Sequence, residues 1–304
     1  MRLLLRLLGQ LALHLAVWVV LVTVIFLAPF ERMAVANMYT RPLRYGLMRT
    51  WSDLLESIGW VLRGETIPTF NRGTPLVETL SRIAPPSLTM LVVSLAVALV
   101  VGVGVGLLLR LAPRRLQALW NGTLFGGTVL PESLIAGFLF MGLVVMITRW
   151  GIKPVPALWI SDITWKHYVL PVIALAVFPI AYIGRVVATV LDELAPMEFM
   201  QAARAKGLSE AQLLFGHAFR HVAHRVVTVL PNLIPWQISA LMAVEWVFLI
   251  PGLGRHAGWM LFLRGVDPFL LTGILTIFML FLILVQAGTT ILAAWLDPRG
   301  EHHA

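Results

Sequence analysis

The chain has 304 residues, 59% of them hydrophobic and only 12% charged, with a mean hydropathy of +0.87. So few charges on so much apolar surface exclude a water-soluble domain of this length, and the absence of cysteine excludes disulfides, thiolate metal sites and a cysteine nucleophile. The net charge of +8 would suit nucleic acid, but the basic residues fall in short loops between apolar runs, where lipid headgroups and topology account for them.

Six apolar runs are each close to or beyond the roughly 20 residues that a helix needs to cross a bilayer. They predict spans at about 11–30, 86–109, 118–148, 168–190, 226–248 and 269–295. None shows the period-two alternation of a membrane strand, so the expected fold class is an all-α polytopic membrane protein forming a single transmembrane domain over 1–304. Arg2 and Arg6 ahead of the first run, with a small-residue AVA at Ala34–Ala36, resemble a secretory signal. The run is longer than a signal core and five more follow it, so an uncleaved first helix is the better reading.

The outer loop, 31–82, carries turn signals and no sustained apolar stripe, with a short helix expected around Trp51–Arg63. Among the remaining short loops, eleven basic residues fall on one side and five on the other, which favours cytoplasmic termini. Val101–Gly106, VGVGVG, lies inside the second span, where small residues let helices approach. Arg185 closes the fourth span and is expected to snorkel to phosphates. Tryptophans 18, 60, 120, 150, 159, 165, 236, 246, 259 and 295 mostly fall near span ends, as an aromatic belt would, and a stacking platform for cargo is the less favoured reading.

The segment 192–225 is polar, basic and helix-forming, and it is placed in the cytoplasm between spans four and five. Asp192, Glu193 and Glu198 supply negative charge early in an expected helix that continues through Gln201-Ala202-Ala203-Arg204-Ala205. Gly207 fits a left-handed stop, and Ser209 with Gln212 three residues on forms a capping-box pattern that starts a second helix. A loop that only connected two spans could be far shorter, so this corner is expected to dock against a partner. His217, His221 and His224 share one face of the second helix at a spacing able to chelate a metal. Neighbouring Arg220 and Arg225 favour a plain polar face instead.

Glu132 and Glu245 are the carboxylates at membrane depth and so are candidates for the translocation path. Glu132 follows Pro131, where a bent helix would expose backbone groups. Glu245 could equally be a structural acceptor. Pro251-Gly252-Leu253-Gly254 is a turn by its chemistry. No phosphate-cradling GxxxxGK[ST] loop is present, because lysine occurs only at 153, 166 and 206 and never precedes Ser or Thr.

EFMQAARAKGLSEAQLLFGHAFRH (198–221) resembles the cytoplasmic signature loop of ABC-importer permeases, and is most similar to the B-type subunit of the dipeptide/oligopeptide/nickel family. GETIPTFNRGTPLVETLSRIAPPSLTM (64–90), VEWVFLIPGLGR (244–255) and LDPRG (296–300) resemble other parts of that family in order and spacing. Gln201 stands where the general signature has glutamate, and Phe219-Arg220 replaces a later Leu-Pro. The first outer loop is also shorter than the family's.

The resemblance implies the type I ABC importer fold and a bacterial inner-membrane location. It implies a sister permease, two cytoplasmic ATPase subunits that use ATP and magnesium, and an extracytoplasmic binding protein delivering peptide-sized cargo. The chain itself would be non-catalytic, with no cofactor of its own and no nucleic-acid partner. Gln201, Ala202, Ala203, Arg204, Lys206 and Gly207 would fall on the coupling signature, with 197–209 in a groove of the ATPase. A proton-coupled secondary transporter using Glu132 and Glu245 as relays is the rival reading. An intramembrane enzyme is a weaker one, since the spans hold no paired His/Asp or Ser/His constellation.

Overall fold

The computed structural model describes residues 2–27, 75–113, 130–151, 164–261 and 267–296, with isolated positions between them. Most of the first outer loop, including the short helix expected at Trp51–Arg63, and the expected start of span three lie outside these residues. Among the described residues, six helices are long and apolar enough to cross a membrane. In chain order they are α1 (Arg2–Leu27), α2 (Leu76–Leu111), α3 (Glu132–Trp150), α4 (Val169–Leu194), α7 (Phe219–Val247) and α9 (Pro268–Leu296). The short helices α5 (Glu198–Ala205) and α6 (Glu210–Leu213) precede α7, and α8 (Leu253–Trp259) follows it.

Two helix boundaries differ from the sequence reading for identifiable reasons. The second apolar run begins near residue 86, yet α2 starts ten residues earlier and carries Pro85 and Pro86 in its interior. Proline removes an N–H and crowds the preceding turn, so a helix boundary is the natural expectation there. In the structure the polar turns of Leu76–Ala84 continue the helix instead. At the other end of the polar segment, α6 passes through one π turn at Leu214–Ala218 directly into α7. The second helix of the loop and the fifth span are therefore one continuous rod.

The chain divides into two compact units, residues 1–89 with 249–284 and residues 90–248 with 285–304. In the first, Trp18 Nε1 donates to Thr276 Oγ1 at 2.9 Å, tying α1 to α9. The Ser87 hydroxyl accepts from the Leu253 N–H at 2.7 Å, fixing the start of α8 against α2. Leu249 holds a left-handed backbone (φ 57°), rare for a branched side chain, and its carbonyl accepts from Arg255 Nη1. That guanidinium also lies 5.4 Å from the Trp259 ring centroid. Burial holds the His256 imidazole below its usual value, and the Arg255 charge acts the same way against the opposing bond to the Gly252 carbonyl.

In the second unit, α2, α4 and α7 share one core, including Ala98, Leu107, Ile183, Val187, Leu230 and Leu233. The glycine run in α2 sets how closely the helices cross. A Cβ on Gly106 would stand 2.6 Å from Val187 Cβ and 2.9 Å from the Gly184 carbonyl, and one on Gly102 would stand 2.9 Å from Ile183 Cβ. Gly104 faces open space. Gln237 Nε2 on α7 donates to the Ser94 hydroxyl on α2 at 3.0 Å, a buried polar tie within the span core.

Candidate functional site

The polar corner between α4 and α7 is built from local chemistry. α4 runs to Leu194, so Asp192 and Glu193 close that span helix instead of opening the next one. Pro196 lacks the N–H that would continue the helix, Met197 turns extended (φ −68°, ψ 144°), and only Glu198 remains in the first turn of α5. Asp192 instead stands 3.5 Å from Arg110 at the end of α2.

Helix α5 closes on a Schellman corner. Gly207 takes φ 81°, its N–H bonds the Arg204 carbonyl at 2.9 Å, and the Leu208 N–H reaches the Ala203 carbonyl at 3.4 Å. Both expected caps are present. Ser209 Oγ accepts from the Gln212 N–H at 3.3 Å, and Gln212 Oε1 accepts from the Ser209 N–H at 2.9 Å.

Packing then separates the signature residues into two groups. Met200 and Ala203 are buried with Leu191, Leu194, Leu213, Leu214 and Ala218 in the core of the second unit, so Ala203 anchors the corner from within. Burial of Met200 alone is worth about 1.5–3 kcal/mol. Gln201, Ala202, Lys206 and Gly207 face outward. Arg204 braces the corner internally, with Nε 3.1 Å from Glu210 Oε1 and Nη1 donating to the Ala195 carbonyl at 3.1 Å. Gln201 Nε2 donates to the Pro196 carbonyl at 3.0 Å, closing the loop's entry side.

Sequence reasoning did not single out four exposed apolar side chains along this stretch. Met197 (45% exposed), Phe199, Phe215 (63%) and Phe219 leave their side chains open. The signal was present, since aromatic rings at 199, 215 and 219 stand in an otherwise polar stretch. Exposed apolar side chains in so polar a stretch suit contact with a partner.

The histidines do not gather. The π turn carries His217 and shifts the register between it and α7, while the His221 ring stacks on Phe199 with centroids 5.7 Å apart. Among the described residues, no three His, Asp or Glu side chains form a group able to hold a metal ion. Changing His217, His221 and His224 together to Gln is expected to leave the thermal stability of the purified chain nearly unchanged with and without added nickel or zinc. A large metal-dependent loss would contradict this.

Glu132 is the first residue of α3, next to the extended N-cap Pro131, so its carboxylate complements the positive end of that helix and does not sit at a bend within it. Glu245 is fully buried on α7, on the side that also buries Gln237, Leu241 and Val244.

This chain belongs to the family of binding-protein-dependent transport system inner membrane components, which matches residues 75–301. It is 28% identical over 204 residues to a probable peptide ABC transporter permease, y4tP, of Sinorhizobium fredii, covering 64% of this chain and 63% of that one. It is 31% identical over 182 residues to the dipeptide permease DppB of Bacillus subtilis (58% and 54% covered). To the oligopeptide permease OppB of Haemophilus influenzae it is 29% identical over 241 residues (78% and 76%). The chain thus spans between about half and two thirds of the length of the first two relatives. A solved chain of the inward-facing methionine ABC transporter MetNI superposes with a TM-score of 0.56 at 18% identity, covering 73% of this chain and 98% of that one, which establishes the fold. The resemblance to peptide-type ABC permeases is borne out, and the chain is a multi-pass membrane protein.

Proposed function

We propose that the chain is the membrane-spanning subunit of an ATP-driven, binding-protein-dependent importer of peptides or similar-sized solutes in a bacterial inner membrane. It forms the path with a sister permease. Two ATPase subunits dock on the corner at 197–209, and an extracytoplasmic binding protein delivers cargo. The observation that carries this reading is the corner itself, a doubly capped turn presenting Gln201, Ala202, Lys206 and Gly207, with Met197, Phe199, Phe215 and Phe219 exposed along the same stretch. The chain contributes no catalytic group and no cofactor of its own, ATP and magnesium belonging to the partners. Peptide permeases among the relatives support the cargo class.

The proton-relay alternative finds no support in the relatives, and Glu245 is enclosed by protein. Purification of the complete complex, followed by reconstitution with its binding protein, tests the proposal. Uptake of short peptides should require ATP and survive collapse of the proton gradient. Uptake that follows the proton gradient without ATP would refute it.

Orientation has its own test. Reporter fusions after Arg110, within Ala205–Ser209 and after Asp297 should report cytoplasm, and those at Asn71, Pro154 and Gly265 the outer side. One reversed reporter would break the proposed topology, in which both termini are cytoplasmic.

A further inference from the structure

The exposed face of α7 is the wrong chemistry for lipid. Thr228, Asn232, Trp236 and Ser239 are all exposed, and their spacing of four, four and three places them on one side of the helix. They lie within the apolar stretch 226–248, and Trp236, 61% exposed, falls near its middle, far from the ends that an aromatic belt occupies. Pro235, on the same face, leaves the Pro231 carbonyl without its helical donor. By contrast the exposed positions of α2 in the same unit, among them Val92, Val93, Val100 and Leu108, are wholly apolar, as lipid requires.

The neighbouring helix continues the pattern. Phe178, Tyr182, Arg185 and Thr189 share one side of α4, with Arg185 and Thr189 exposed. The Phe178 ring packs on Trp236 with centroids 5.6 Å apart and on Tyr182 at 6.1 Å, so three aromatic rings run in contact across the two helices. A tight helix–helix interface in a membrane uses small residues that let backbones approach. A projecting indole flanked by Thr, Asn and Ser does not fit that use.

We infer that this face of α4 and α7 lines the aqueous solute path, and that Trp236, Phe178 and Tyr182 form a mid-membrane stacking rail for cargo carrying aromatic or apolar side groups. This deepens the importer reading and rests on it for the cargo. Hydroxyl and amide rungs keep the wall wet, while the rings hold a flat apolar group by its face without a fixed charge. A path so built passes varied peptides and favours aromatic ones.

The chain has no cysteine, so single thiols can be introduced without background. The complete complex in permeabilised membranes, carrying Asn232→Cys, Ser239→Cys or Val100→Cys, is treated with a charged, membrane-impermeant methanethiosulfonate. Thiols at 232 and 239 should react several-fold faster than the one at 100, and Ala-Phe-Ala with the binding protein should slow them. Reaction no faster than at 100 would place lipid on this face and overturn the inference. Protection within the complex that disappears in the isolated chain would place the sister subunit there and overturn it as well.

In uptake assays Trp236→Ala should reduce Ala-Phe-Ala relative to trialanine by about two- to tenfold, the range that one aromatic contact corresponds to, and Trp236→Phe should restore most of it. Equal losses for both peptides would refute the rail. If the unaltered complex took up neither peptide, the importer reading would fail, while thiol labelling would still decide whether the face is wet.

Discussion

Gly106→Leu is expected to prevent folding of the bundle, whereas Gly104→Leu should be tolerated. Only 2.6 Å separates a Cβ at 106 from Val187 Cβ, and the Gly184 carbonyl lies 2.9 Å away, so neither flexible side-chain ends nor a rotamer change can relieve the contact. Even Gly106→Ala should cost about 1–3 kcal/mol, the range of an overpacked core, and Gly102→Ala, against Ile183, should behave similarly. At 104 nothing lies within 4 Å. There alanine should be neutral or add up to about 1 kcal/mol through its better helix propensity. Thermal unfolding and the yield of monodisperse protein in detergent measure the series. Equal damage at 104 and 106 would show that α2 and α4 do not cross at these glycines.

Gly207→Val should abolish cargo-stimulated ATP hydrolysis by the reconstituted complex while leaving expression and assembly of the bundle intact. Open space surrounds a Cβ at this position, so the cost lies wholly in forcing a β-branched residue to φ 81°. That is roughly 1–2 kcal/mol, enough to distort the Schellman corner but too little to unfold the spans. Gly207→Asn should retain most activity, because asparagine tolerates the left-handed region. Normal hydrolysis and uptake by a stable Gly207→Val complex would refute the role given to the corner.

What could be read in the sequence was whatever a few neighbouring residues decide. Gly207 and the Ser209–Gln212 box specify their corner through bonds spanning three to five positions, and they appear in the structure as expected. Apolar runs longer than a bilayer gave the spans in the same way. Features set by partners far along the chain were not legible. VGVGVG announced close packing, but only the placement of Val187 and Ile183 singles out 102 and 106 over 104. Ala203 and Arg204 read as surface groups until packing turned one into the core and the other onto Glu210 and the Ala195 carbonyl. Trp236 passed for one more belt tryptophan because its depth and its open face need the folded helix to be seen. Asp192 and Glu193 could equally begin one helix or end another, and Pro196 decides for the end of α4 instead of the start of α5.

The unbroken rod from Glu210 to Val247 has a mechanical consequence. At 1.5 Å per residue it is about 57 Å long, so its first turns, beside the capped corner, are one arm of a lever whose other end lies across the bilayer. A tilt of about 5° about the Pro231–Pro235 region moves the corner end, about 35 Å away, by about 3 Å and the far end, about 21 Å away, by about 2 Å. Pro231 and Pro235 each remove a hydrogen-bond rung near the rod's middle, making that region the most compliant point and the natural fulcrum. Trp236 stands beside the fulcrum, where rotation is greatest relative to translation. A push on the corner would therefore turn the ring in place while swinging the far end of the helix the opposite way by a smaller distance.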